Sequence, residues 1–117
     1  MSVEIIPSRN FQKEAKRLLK KYPSLKDELK ELNRTLTISP TFGTSIGFDC
    51  YKIRLAIKSK GKGKSGGARV VTHVVVRLRM ADPIAQRVYL LSIYDKSEFE
   101  SISDQDLRKL IQEIKDN

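Results

Sequence analysis

The sequence predicts an α+β fold of one domain. An N-terminal strand and a helical hairpin pack on a mainly antiparallel sheet and a last helix closes the chain, in the order β-α-α-β-β-β-α. Three observations carry this expectation. Two apolar stripes of helical period flank Pro23, three runs rich in β-branched residues lie between Tyr51 and Tyr94, and a further amphipathic stripe sits near the C-terminus. The length of 117 residues, 39% of them hydrophobic, supplies one small core, so residues 1–117 are read as a single domain.

Val3 to Ile6 is a short β-prone run ended by Pro7. Ser8 then caps a helix whose apolar positions Phe11, Ala15, Leu18, Leu19 and Tyr22 follow the 3.6-residue period. Pro23 breaks that helix, and Ser24 is placed to cap a second, with Leu25, Leu29, Leu32 and Leu36 down one side. The two helices form a hairpin. A turn-rich passage from Ile38 to Asp49, marked by Pro40, Gly43 and Gly47, leads to three strand-like segments: Tyr51 to Ile57, Arg69 to Arg79 and Arg87 to Tyr94. Their spacing suits an antiparallel meander. Ser103 followed by Asp106 fits a capping box, and Leu107, Leu110, Ile111 and Ile114 give the last helix an apolar side. The hairpin is expected to cover one face of the sheet and leave the other at least partly exposed to a partner.

The formal net charge of +9 is local. From Cys50 to Ala81 there are nine basic residues and no acidic ones, and the rest of the chain holds fourteen of each sign. Such a segment predicts a polyanion-binding face. No apolar run approaches the roughly 20 residues needed to span a bilayer, so no membrane is expected. Met1 to Pro7 lacks a positive leader and a sustained apolar region, so the chain is expected in the cytoplasm. The single cysteine, Cys50, forms neither an internal disulfide nor a zinc site alone and is expected to be partly buried.

Lys52 and Arg54 alternate with Ile53, Leu55 and Ile57, as outward and inward positions do on a strand. If the strands around Tyr51 and Arg69 pair, Lys52, Arg54 and Arg69 project from one face, although alternation alone does not set the register. Arginine presents a planar fork to phosphate oxygens, and lysine gives up its proton more readily beside other cations. Together they suit stabilisation of a pentacovalent phosphate and proton movement; the bland reading makes them solvated residues on an exposed sheet face. Lys58, Lys60, Lys62 and Lys64 lie on the glycine-rich stretch from Lys58 to Gly67, read as a mobile loop able to follow a nucleic-acid backbone. Seen alone, that loop is a solvated hairpin tip. Its Gly-Lys-Ser triplet does not make a P-loop, since Lys58 stands where the pattern needs Gly and a strand follows where it needs a helix. Tyr94 and Lys96, where the last strand gives way to the final helix, read either as a base-stacking ring and a phosphate contact or as strand-end packing and a solvated turn. His73, the lone histidine, lies among valines and reads as structural. Without a second histidine or a carboxylate group beside the basic segment, no metal or cofactor is implied.

The element order, the segment from Asp49 to Leu55, the run Gly67-Ala68-Arg69-Val70-Val71 and the closing run from Tyr89 to Lys96 resemble the RelE/ParE/HigB superfamily of toxins from type II toxin–antitoxin modules. The Lys-Gly-Lys-Ser-Gly-Gly-Ala-Arg loop is similar to the HigB-like branch. The resemblance implies a RelE-like microbial ribonuclease-type fold and an endonuclease that cuts messenger RNA in the ribosomal A site, with a cognate antitoxin and the ribosome as partners. It implies attack of the substrate's own 2′-hydroxyl on the adjacent phosphate without a metal. Lys52 and Arg54 then match positions that orient or deprotonate the 2′-hydroxyl, Arg69 the arginine that stabilises the phosphate, and Lys96 a position that protonates the leaving oxygen. One departure stands out: Ile102 falls near the place where RelE-like enzymes carry a Tyr or His, with Tyr94 as a possible substitute. It leaves room for the ParE-like branch, whose members share the fold and inhibit DNA gyrase without nuclease activity. A non-catalytic basic RNA-binding module is a third reading.

Overall fold

A computed structural model describes residues 2–61, 63–77, 85–99 and 101–115. The elements are β1 (Ser2–Pro7), α1 (Arg9–Lys21), α2 (Leu25–Ile38), β2 (Thr44–Gly47), β3 (Cys50–Leu55), a 3-10 turn at Lys58–Lys60, the one-turn α3 (Gly63–Gly66), β4 (Ala68–Arg77), β5 (Ala85–Asp95) and α4 (Asp104–Lys115). The strands form one mixed sheet in the order β1-β5-β4-β3-β2, with β1 parallel to β5 and the other pairs antiparallel. The α+β class and the β3-β4-β5 meander follow the sequence. The element order is corrected by one strand and one short helix. Residues 78 and 79, the predicted end of the second meander strand, lie outside the described residues.

The added strand is β2, which pairs with β3 through a two-residue turn at Phe48 and Asp49. Both turn residues take positive φ, 56° and 57°. This double left-handed turn matches the right-handed twist of a hairpin, and its usual marker is Asn-Gly. Phe-Asp carries no such marker, so the passage reads as plain turn.

Ser8 caps α1 as predicted, accepting from the Phe11 N–H at 3.0 Å. Ser103 likewise accepts from the Asp106 N–H at 3.1 Å. Ser24 makes no side-chain cap on α2. Its backbone is already helical (φ −69°, ψ −17°), and its hydroxyl instead bonds Glu28 and Ser59.

The hairpin packs on one sheet face, where Phe11, Leu18, Leu25 and Leu36 meet Ile53, Val70, Val88 and Ile93. The other face is not left open. Leu107 of α4 is buried against Cys50, Val71, Leu91 and Tyr94, with Ile102, Leu110, Ile111 and Ile114 around them. The apolar side of α4 needs a partner and the second sheet face supplies it.

A register shift on β5 makes this second face possible. Val71 pairs with Ser92 and Thr72 with Leu90, so Leu91 is an extra residue. The bulge resets the alternation, placing Tyr89 and Tyr94 on one face; without it, strict alternation from Tyr89 would send Tyr94 to the hairpin side. Beyond the bulge β1 has ended, and α1 satisfies the strand edge. Ser8 Oγ and Asn10 Nδ2 donate to the Leu91 carbonyl at 3.2 and 3.0 Å, and the Ile93 N–H donates to Glu14 at 3.3 Å.

Candidate nucleic-acid interface

The pairing register brings the predicted cationic residues into rows across the second face. Arg54 on β3 stands opposite Arg69 on β4, which stands opposite Tyr94 on β5. The next row runs Lys52, Val71, Ser92, and the third Cys50, His73, Tyr89. Lys52, Arg54 and Arg69 therefore share one face, as alternation permitted. Like charges directly across an antiparallel pair are destabilising. An anion between Arg54 and Arg69 would relieve that repulsion.

The row is graded in exposure. Arg54 is exposed, Lys52 is half-buried, and Arg69 is only 3% exposed, its Nη1 donating to the Ala68 carbonyl at 3.1 Å. Tyr94 is 4% exposed, and the Phe99 ring meets it edge-on at 6.0 Å and 86°. This corrects its reading as a stacking platform: the ring packs at the strand end, and its face is not offered to a base. Burial pushes the Tyr94 phenol up, against a smaller opposing pull from the Arg69 charge.

The lysine-rich connection is built, not a plain tether. The Lys58 N–H donates to Glu28 at 2.7 Å and the Ser59 N–H to Ser24 Oγ at 2.9 Å, which fasten the 3-10 turn to the start of α2. Lys60 does not join the basic surface. Its ammonium donates to the buried Asp95 carboxylate and lies 5.9 Å from the centre of the Tyr22 ring. Lys58 keeps an exposed side chain. Lys62 lies outside the described residues, as does the side chain of Lys64.

Lys96 follows β5, half-buried, and its N–H donates to the Gly67 carbonyl at 3.0 Å. That bond ties the residue after β5 to the residue before β4, next to the Ala68–Asp95 pair. Lys96 thus sits two residues beyond Tyr94, past the end of the Arg54–Arg69–Tyr94 row.

His73 and Cys50 sit deeper. Burial lowers the His73 pKa against weaker opposing pulls from the Phe48 carbonyl and the Asp49 charge. Burial, then the Asp49 charge, push the Cys50 thiol up to about 12. Its Sγ lies 3.4 Å from His73 Nδ1. A neutral imidazole beside a protonated thiol is packing. Among the described residues no three His, Cys, Asp or Glu side chains gather in a way that would hold a metal ion, and no helix is long and apolar enough to cross a membrane.

Sequence reasoning missed Asp95 and Glu14. Asp95 occupies an inward position after Tyr94, and an inward carboxylate at a strand end was the available signal. Glu14 lies between Phe11 and Ala15 on the helix, near enough to the buried side to reach the sheet edge.

A scan of the chain against models of known protein families finds no match.

Proposed function

We propose that this chain is the toxin of a type II toxin–antitoxin pair and acts as a metal-independent endoribonuclease on messenger RNA in the ribosomal A site. The observation that carries the reading is the placement of Arg54 opposite Arg69, with Lys52 one row away on the same face. In the proposed reaction the substrate 2′-oxygen attacks the adjacent phosphorus, the bond from phosphorus to the 5′-oxygen breaks, and the products are a 2′,3′-cyclic phosphate and a 5′-hydroxyl. Lys52, once it has given up its own proton, takes up the 2′-hydroxyl proton, and Arg54, which stays protonated, orients that group. Arg69 and Arg54 neutralise the pentacovalent phosphate, and Lys96 gives a proton to the leaving oxygen. Fixed cations around a charge that develops in the transition state are the largest expected source of acceleration. The ribosome would supply substrate placement, which cationic side chains alone do not.

Burial of Arg69 and Tyr94 favours a second reading, a ParE-like gyrase inhibitor without nuclease activity. Contact between phosphate and Arg69, which is 3% exposed, would require the packing around it to open. Binding of a protein target would not.

Primer extension on a defined messenger, in a reconstituted translation system with and without ribosomes, tests the first reading. Ribosome-dependent cuts that disappear in folded Lys52→Ala and Arg69→Ala proteins are expected. Absence of cuts, together with inhibition of gyrase supercoiling, would replace the first reading with the second.

A further inference from the structure

Between α1, the end of β5 and α4 lies a cleft of about 300 Å³ whose chemistry contrasts with the chain's net charge of +9. Among the described residues its lining carries three carboxylates, Glu14, Asp106 and Glu113, against a single lysine, Lys109. Tyr94 also lines it, and its buried hydroxyl has no hydrogen-bond partner among the described residues. Leaving a buried hydroxyl unsatisfied costs free energy, so a polar occupant is the expected complement. Glu14 is held in place because Ser92 Oγ at 2.7 Å, Asn10 Nδ2 at 2.7 Å and the Ile93 N–H at 3.3 Å all donate to Oε1. None of these three bonds uses Oε2. Phe99, 55% exposed, stands nearly perpendicular to Tyr94 and presents an aromatic wall.

From this geometry we propose that the cleft binds a guanidinium group carried on an aliphatic stem. Carboxylates beside aromatic rings select cations. A guanidinium meets both features, since its planar fork pairs with a carboxylate and its face stacks on a ring, while an ammonium is more strongly hydrated. The Arg69 charge also reaches the Tyr94 phenol. The carboxylates therefore supply the attraction, and the Phe99 ring supplies the stacking face. The cleft volume suits a ligand of this size. The proposal does not depend on the ribonuclease reading.

The test is an NMR titration of the full chain with agmatine, and separately with a capped Ala-Arg-Ala peptide. Saturable shifts of the Ser92, Tyr94 and Leu110 amides are expected at a Kd of about 1 mM or tighter. Glu14→Gln should weaken binding by about tenfold or more. Glu14 also supports the β5 edge, so Ser101→Trp, which fills the cleft from an exposed position, is the second variant; it should weaken binding at an unchanged thermal midpoint. Equal affinity for peptide and agmatine assigns the site to an arginine side chain of a partner, and binding of agmatine alone assigns it to a free small molecule. No saturable shift with either probe, or shifts that persist unchanged in Ser101→Trp, would overturn the proposal.

Discussion

Lys60 and Asp95 form a buried ion pair, the lysine side chain 10% and the aspartate side chain 0% exposed. The other oxygen of Asp95 accepts from the Tyr22 hydroxyl at 2.7 Å, and the Ser97 N–H and hydroxyl donate to Oδ1 at 3.0 and 2.8 Å. One carboxylate thus joins the end of α1, the 3-10 turn before β4 and the turn after β5. The same junction sets Lys96 against Gly67. Burial opposes ionisation of Asp95, but Lys60, Ser97 and Tyr22 outweigh it and hold the carboxyl well below the usual carboxylate range.

Because the folded-state pKa of Asp95 is depressed, its contribution to stability is complete above the ordinary carboxylate value of about 3.9 and is lost as pH falls below it. Asp95→Asn should cost about 3–5 kcal/mol at pH 7 by leaving Lys60 buried without a counter-charge. It should also flatten stability against pH on the acid side. Lys60→Met leaves the carboxylate its Tyr22 and Ser97 bonds and should cost less. Urea unfolding at pH 7 and pH 3 measures both, and equal costs for the two variants would contradict the hub role of Asp95.

Arg54 and Arg69 face each other across β3 and β4, so removing one cation should stabilise the fold. Arg54→Thr keeps a β-favouring residue and should gain about 0.2–1 kcal/mol. The gain should shrink as salt screens the wild-type repulsion. If the pair handles phosphate as proposed, the same variant should lose cleavage by about 100-fold or more. A variant that is both less stable and fully active would contradict both statements.

The turn at Phe48 and Asp49 invites a gain of the opposite kind. A non-glycine residue in the left-handed region costs about 1–2 kcal/mol, and glycine there costs about 0.5–1 kcal/mol in chain entropy. Asp49→Gly should therefore stabilise by up to about 1 kcal/mol, a rise of a few degrees in Tm. The Asp49 carbonyl, which accepts from the Val74 N–H at 2.9 Å, is unaffected by the substitution. Calorimetry that shows a lower Tm would mean that the Asp49 side chain contributes more than its backbone strain removes.

These residues also show what could be read from sequence. The alternation of Lys52, Ile53, Arg54 and Leu55 gave the correct face, because parity is a property of one strand. Register is a property of two, and only the structure aligns Arg54 with Arg69. The loop lysines read alike because composition cannot show which of them meets a buried carboxylate; Lys60 does, through Asp95 of a strand 35 positions later. Exposure of Arg69 and Tyr94 was illegible for a similar reason. It depends on tertiary packing: the bulge at Leu91 turns Tyr94 to the second face, and Phe99, after β5, packs on its ring. The apolar stripe of α4 was itself a legible sign that the second sheet face would be covered.

Cys50 and Leu107 provide a direct measure of that cover. Cys50 is fully buried in the second core, and its thiol, pushed up to about 12, is protonated at neutral pH. The native protein should resist thiol reagents at pH 8, with labelling limited by opening of the structure. Leu107→Ala leaves a cavity where Leu107 is 1% exposed and should cost about 2–5 kcal/mol. Leu36→Ala removes a similarly buried side chain from the core under the hairpin. If α4 lifts from the sheet on its own, Leu107→Ala should speed Cys50 labelling well beyond Leu36→Ala at matched loss of global stability. Equal acceleration by both would mean that the two cores open as one cooperative unit, with no separate release of α4 from the sheet.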